Sequence, residues 1–229
     1  MRPGRPAGGV TAGLSWLLRR RVLWTVLLYA GVVNLLLAAI EMLAILDLRM
    51  LGVPSLPIGL ILSCSGVGAL AGSLGSAGVV RRVGPSGILL GIGAAWTVVL
   101  LVFAFAFNPF TAAALLAVLM TLSPSVGVLV GQSLLSGTPR DLLGRVSAAA
   151  TVPLSGLAGL GPVLAGGLCL AIRPPHAWLA LAALTAAATA LGYPRLRAFR
   201  LPGPDAAGPD PPGPIPVPDT DPDTSHHNT

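Results

Sequence analysis

Residues 22–46 read VLWTVLLYAGVVNLLLAAIEMLAIL, an apolar run of 25 residues with a single charged side chain, Glu41. At about 1.5 Å per residue, a helix of this length crosses the roughly 30 Å hydrocarbon core of a bilayer. The run is too long for the apolar region of a cleaved signal peptide, although arginines precede it. We therefore predict that it is a membrane span that stays in the mature protein.

Similar apolar runs follow, with short polar breaks between them. The whole chain has 54% apolar and 10% charged residues, whereas soluble domains carry about 25% charged residues. The sequence predicts an all-α integral membrane protein, and its short connections favour a compact bundle. The six predicted transmembrane helices are residues 22–46, 55–80, 85–107, 110–135, 146–172 and 176–193.

All 14 basic residues are Arg, and the net charge is +6. With both termini inside, only Arg49 and Arg173 lie on the outer side, so the positive-inside rule predicts cytoplasmic termini. The arginines are spread between apolar runs rather than clustered, which argues against a nucleic-acid partner. We predict an Arg-rich N-terminus at 1–21, a six-helix domain at 22–194, and a basic stub with a disordered Pro/Asp-rich tail at 195–229.

Polar residues within the spans are the candidate functional residues, because they are costly in hydrocarbon. Asn34 and Glu41 are two helical turns apart on one face of the first span. Glu41 either carries protons or recognises cations along a pathway, or it lies near the outer end of the span and reaches water or pairs with Arg49. Asp47 is expected in the outer loop with Arg49. Gln132 in the fourth span is a third candidate for the pathway.

Helix breakers and small residues mark the places where helices bend or approach closely. Pro124 and Gly127, within Ser123-Pro124-Ser125 and the residues after it, are expected to kink the fourth span. Interrupted helices at this depth hold substrate sites in transporters, although many Pro kinks are purely structural. Glycines at helix-contact spacing predict close packing of three spans, although about half of them are expected simply because membrane helices of a Gly-rich protein carry many glycines. They are Gly68 and Gly72, Gly87 and Gly91, and Gly156, Gly159 and Gly166.

The sequence predicts neither an enzyme nor a metal or cofactor site. A serine protease needs a Ser and a His facing each other, and the only His near a span, His176, is at an outer end. A phosphate-binding Walker loop needs Lys, which the chain lacks. Cys64 and Cys169 lie inside apolar runs without further ligands, so we expect two small buried side chains.

Four short sequence segments carry a resemblance to a known family. The segment 139–146, PRDLLGRV, is followed by GLGPVLAG at 159–166, and GSLG at 72–75 leads to RRVG at 81–84. From Leu14 to Gly192, the order of features resembles helices seven to twelve of a major facilitator superfamily transporter, in the branch that exports macrolides, other drugs and siderophores. The resemblance implies two inverted repeats of three helices, cytoplasmic loop motifs and a gating kink. The loop-motif residues are Arg81, Arg82, Gly84, Gly144 and Arg145, and the kink residues are Gly161 and Pro162.

The same resemblance implies proton-coupled efflux of a small hydrophobic molecule across the bacterial inner (plasma) membrane. The N-terminal six-helix half of such transporters is absent from this sequence, and Arg81 stands where the loop motif carries Asp. Glu41 replaces a small or apolar residue, so no family role carries over to it. One half cannot enclose a pathway, which implies a homodimer, a second six-helix partner, or a remnant. A non-transporting membrane interaction protein is the alternative.

Overall fold

The computed structural model describes residues 15, 17–18, 20–138 and 142–197, except for some side chains within these ranges. The predicted N-terminal segment and the tail lie almost entirely outside the described residues. The described part of the chain is helical and contains no strand. Its helices are α1 (Arg21–Met50), α2 (Ser55–Ala106), α3 (Pro109–Leu122), α4 (Pro124–Gly137), α5 (Leu143–Gly159), α6 (Gly161–Ala171) and α7 (Pro174–Arg197).

Five helical segments of the described chain are long and apolar enough to cross a membrane, as expected of a membrane helical protein. They agree with the predicted first, second, fourth, fifth and sixth spans to within a few residues. The third predicted span corresponds to a shorter apolar segment, Leu90–Ala106. The five longer segments are Leu23–Met50, Ser55–Ser76, Pro109–Leu135, Leu143–Ala171 and Pro174–Pro194.

Helix α2 contains both the second and the third predicted spans. A straight helix of 52 residues would be about 78 Å long, yet Phe105, near its end, lines a cavity with Leu51, just before its start. Gly72 and Gly91 likewise line one cavity of about 410 Å³. The chain must therefore turn back between them. The predicted loop at 81–84 is wrong as a loop, because these residues are helical, but the predicted change of direction is present.

The fourth and fifth spans are each interrupted near a proline. Helix α3 ends at Leu122 and α4 begins at Pro124, with Ser123 between them. Helix α5 ends at Gly159 and α6 begins at Gly161, with Leu160 between them. Proline lacks an amide N–H and clashes with the preceding turn, so each break lies where the backbone cannot continue a regular helix.

Glycines allow close packing in three pairs of predicted spans. Gly31 of α1 lies against the Pro153 carbonyl of α5, and Gly161 of α6 lies against Leu35, Ala38 and Ala39 of α1. Residue numbers increase in the same direction along α1 and along α5 and α6, so this first pair is parallel. In the second pair, Gly68 and Gly72 of α2 lie against Ala117 and Thr121 of α3, again in parallel.

The third pair joins the later part of α2 to α7. Gly93 lies against the side chain of Thr189, and Phe103 contacts Trp178 with ring centroids 4.8 Å apart. Residue numbers fall along α7 as they rise along α2, so this pair is antiparallel. The parallel second pair and antiparallel third pair both require the reversal within α2.

The predicted glycine contacts are only partly correct. Gly68 and Gly72 do pack against a neighbouring helix, as predicted. The prediction is wrong for four others, because a Cβ added to them would meet nothing within 4 Å. These are Gly91, Gly156, Gly159 and Gly166.

Helix α1 is the most buried of the long apolar segments and supplies much of the core, including Leu27, Ile40 and Leu43. The opposite is true of α2, where many large apolar side chains, such as Leu70 and Leu74, face outward. Outward apolar side chains are the surface that lipid requires. Cys64 belongs to this outer surface, so the prediction that it is buried is wrong, while Cys169 is half-buried.

Candidate functional site

The predicted pathway residues lie on two helices that contact each other, α1 and α4. Asn34 and Glu41 are half-buried on α1, and Gln132 is half-buried on α4. Within the described residues, the side chain of Glu41 forms no hydrogen bond or ion pair, and Arg49 is exposed near the end of α1. The alternative in which Glu41 pairs with Arg49 is therefore not observed.

The predicted kink residues lie beside the two helix interruptions. Pro124 opens α4, and Gly127 follows it on an outer face where an added Cβ would meet nothing within 4 Å. Gly161 opens α6 and is buried against α1, whereas Pro162 is exposed. Gly161 thus couples an interruption to tight packing against another helix.

The predicted loop motifs are described only in part. The side chains of Arg81 and Arg82, and the surroundings of Gly84, lie outside the described residues. Gly144 and Arg145 are in the first turn of α5, where Gly144 is exposed and Arg145 is half-buried.

The structure corrects the predicted position of Asp47. This residue is in the last two turns of α1 rather than in a loop, and only 4% of its surface is exposed. The indole N–H of Trp178 donates a hydrogen bond of 2.7 Å to Asp47 Oδ2. No side-chain partner within the described residues reaches the other carboxylate oxygen, Oδ1. Asp47 is therefore a second acidic residue inside the bundle.

Helix α1 extends past Asp47 because the glycine that terminates it, Gly52, comes five residues later. Gly52 adopts φ +77°, and the amide of Val53 donates to the Leu48 carbonyl at 3.0 Å. A glycine in this left-handed conformation closes the last helical turn without steric strain. Reading Gly52 as the helix terminator would have placed Asp47 inside α1 from sequence alone. Its pairing with Trp178, 131 residues away, has no comparable local signal.

Three aromatic rings form a cluster that includes Trp178, the hydrogen-bond partner of this carboxylate. The ring centroids of Phe103 and Phe107 lie 4.8 Å and 5.4 Å from that of Trp178, and the two Phe rings are 5.4 Å apart in an edge-to-face arrangement. These distances fall in the range of favourable aromatic pairs. The cluster forms because the ends of α1 and α2 and the start of α7 meet at one end of the bundle.

A cavity of about 430 Å³ opens beside this cluster. Its wall includes Asp47, the three aromatic rings, Leu51 before α2, and the two prolines that begin α7. The full lining is Asp47, Met50, Leu51, Phe103, Ala104, Phe105, Phe107, Pro174, Pro175 and Trp178. The cavity thus combines an apolar wall with one buried carboxylate.

A second cavity of about 590 Å³ lies between α1, α6 and α7. Its lining is almost entirely aliphatic, and Thr25 and Tyr29 supply its few polar groups. It has the size of a small-molecule pocket but lacks a charged group that would orient a ligand. Among the described residues, no group of three or more His, Cys, Asp or Glu side chains could hold a metal ion.

Comparisons with protein-family models, curated proteins and solved structures found no match to this chain.

Proposed function

We propose that the chain is a half-size membrane transport protein of the major facilitator type, which exports a small hydrophobic molecule in exchange for protons. In this proposal it spans the bacterial inner membrane with both termini in the cytoplasm. Its pathway forms between two six-helix units, supplied by a second copy or by a separate partner. Pathway residues on the described helices are Asn34, Glu41 and Gln132.

The helix pairing is the observation that carries the proposal. The first span pairs in parallel with the fifth, the second pairs in parallel with the fourth, and the third pairs with the sixth. Suppose that the first, second and third spans change places with the fourth, fifth and sixth, respectively. The pair of the first and fifth spans then becomes the pair of the fourth and second, and the pair of the third and sixth is unchanged. This is the pattern expected of two inverted three-helix repeats, a frequent architecture of secondary transporters.

The proposed repeats also relate the helices that carry the polar residues. Under the same exchange, the first span corresponds to the fourth, so α1 with Glu41 is matched by α3 and α4 with Gln132. Secondary transporters place their substrate sites at the interface between repeats and near interrupted helices. The break at Ser123 and the contact of α1 with α4 are consistent with that placement.

Transport of a fluorescent dye across a membrane tests this function. We expect inverted vesicles containing the full chain to accumulate ethidium when their interior is made more acidic than the outside. Glu41→Gln should reduce this uptake at least about tenfold, because a permanently neutral side chain cannot exchange protons. Cys64→Ala, on the outer surface away from the proposed pathway, is the matched control and should transport normally.

Two results would count against the proposal. Wild-type vesicles that gain no uptake over empty ones, with or without the product of a neighbouring six-helix gene, would favour the non-transporting alternative. Uptake that survives both Glu41→Gln and Gln132→Ala would exclude these residues from the pathway.

A further inference from the structure

The carboxylate of Asp47 is only half satisfied by the protein. Trp178 donates to Oδ2, while Oδ1 is buried and has no partner within the described residues. A buried charge is costly unless it is paired and hydrogen-bonded. When Asp47 is ionised, a complementary cation is therefore the group that this position lacks.

The protein itself does not supply that cation within the described residues. Arg49, two residues further along α1, is exposed, as are Arg173 and His176 before and within the first turn of α7. None of them forms an ion pair with Asp47 in the described part of the chain. The positive charge would have to come from a ligand.

The wall of the adjoining cavity suits an organic cation better than a metal ion. Trp178, Phe103 and Phe107 present π-systems beside the carboxylate, and aromatic faces attract substituted ammonium groups. A metal ion would need several oxygen, nitrogen or sulfur ligands, and Asp47 is the only acidic side chain in this wall. The volume of about 430 Å³ accepts an ammonium group with an apolar substituent.

We propose that the cavity between the end of α1, the end of α2 and the start of α7 binds a substituted ammonium ion, with Asp47 as its counter-ion and the three rings as its apolar wall. The site goes beyond the proposed transport and does not rest on it, because it lies within one six-helix unit. Its ligand is either a free amphiphilic amine or the ammonium headgroup of a lipid.

Equilibrium dialysis of radiolabelled benzyltrimethylammonium tests the site. The purified full chain is kept in dodecyl maltoside, a detergent without charge or ammonium groups. We expect saturable binding of one probe per chain, weakened about tenfold or more by Asp47→Asn. Asn keeps an acceptor oxygen for the Trp178 indole, so the helix contact survives while the charge is lost. Trp96→Phe, a buried tryptophan outside the cavity, is the matched control and should bind normally.

A second variant protects the test against misfolding of Asp47→Asn. Ala104→Leu keeps the carboxylate but places a larger side chain in the cavity wall, and it should also reduce binding about tenfold or more. Circular dichroism and gel filtration establish that each variant is folded.

Competition experiments distinguish binding that needs the positive charge from simple apolar partitioning. They also distinguish a free amine from a lipid headgroup as the ligand. Neopentylbenzene, the neutral isostere of the probe, should not displace it. Displacement by dihexanoyl phosphatidylcholine but not by dihexanoyl phosphatidylglycerol would support a lipid headgroup, and no displacement by either would support a free amine. The proposal is overturned by absent wild-type binding, by equal displacement by neopentylbenzene, or by binding that is unchanged in folded Asp47→Asn. The binding measurement uses no pH gradient, so it can be interpreted even if the transport assay shows no uptake.

Discussion

The pair formed by α1 with α5 and α6 can be compared with the pair formed by the first part of α2 with α3. Both are parallel, and both depend on backbones that approach too closely for a Cβ. In the first pair, Gly31 and Gly161 come from opposite partners; in the second, Gly68 and Gly72 come from the same helix. The two pairs thus reach similar packing with differently placed residues.

The largest expected effect is that of Gly72→Ala in the second pair. The added methyl group would overlap the backbone of Thr121, which cannot rotate away as a side chain can. We expect the free energy of unfolding, measured by SDS titration in mixed micelles, to fall by about 3 kcal/mol. Gly75→Ala in the same helix meets nothing within 4 Å and should be neutral or slightly stabilising. Equal effects of the two variants would contradict the described contact.

Gly161→Ala tests the first pair and should cost somewhat less. Its added Cβ would lie 2.5 Å from the Ala38 Cβ and 2.8 Å from the Ala39 amide nitrogen, and the nearby break at Leu160 lets α6 shift outward. We expect a loss of about 2 kcal/mol in the same titration. Gly166→Ala in α6 has open space and serves as the control. A loss larger than that of Gly72→Ala would reverse the ranking of the two pairs.

The smallest effect is expected at the antiparallel third pair. Gly93→Ala would collide with the side chain of Thr189, whose hydroxyl donates to the Thr185 carbonyl at 2.8 Å. A side chain can move, so we expect a loss of about 1 kcal/mol, most of it recovered by adding Thr189→Ala. Gly91→Ala is the control with open space. Absence of any recovery in the double variant would place the strain elsewhere.

The sequence predicted the features that depend on local composition. Apolar run length located the spans, and Pro124 located the break in the fourth span, because both act through the backbone of their own segment. The contacts of Gly31 and Gly93 were not predicted, since their partners come from helices far along the chain. The burial of Asp47 was missed for the same reason: the indole that accommodates its carboxylate is 131 residues away.

The same limit applies to the candidate sites. Asn34, Glu41 and Gln132 were found because polar residues stand out in apolar runs, whereas Asp47 was assigned to a loop by its nearness to Arg49. Only the meeting of three helix ends joins Asp47 to Trp178 and the two phenylalanines. A cavity of this kind is a property of packing, and residue spacing within one helix does not reveal it.

The central claim is that a transport pathway forms between two six-helix units. Native mass spectrometry of the full chain, affinity-purified from its native membrane into nanodiscs, tests it most directly. We predict a complex of two units, either two copies of this chain or one copy with a second six-helix protein. A single copy alone, at every concentration at which the chain remains folded, would contradict the claim.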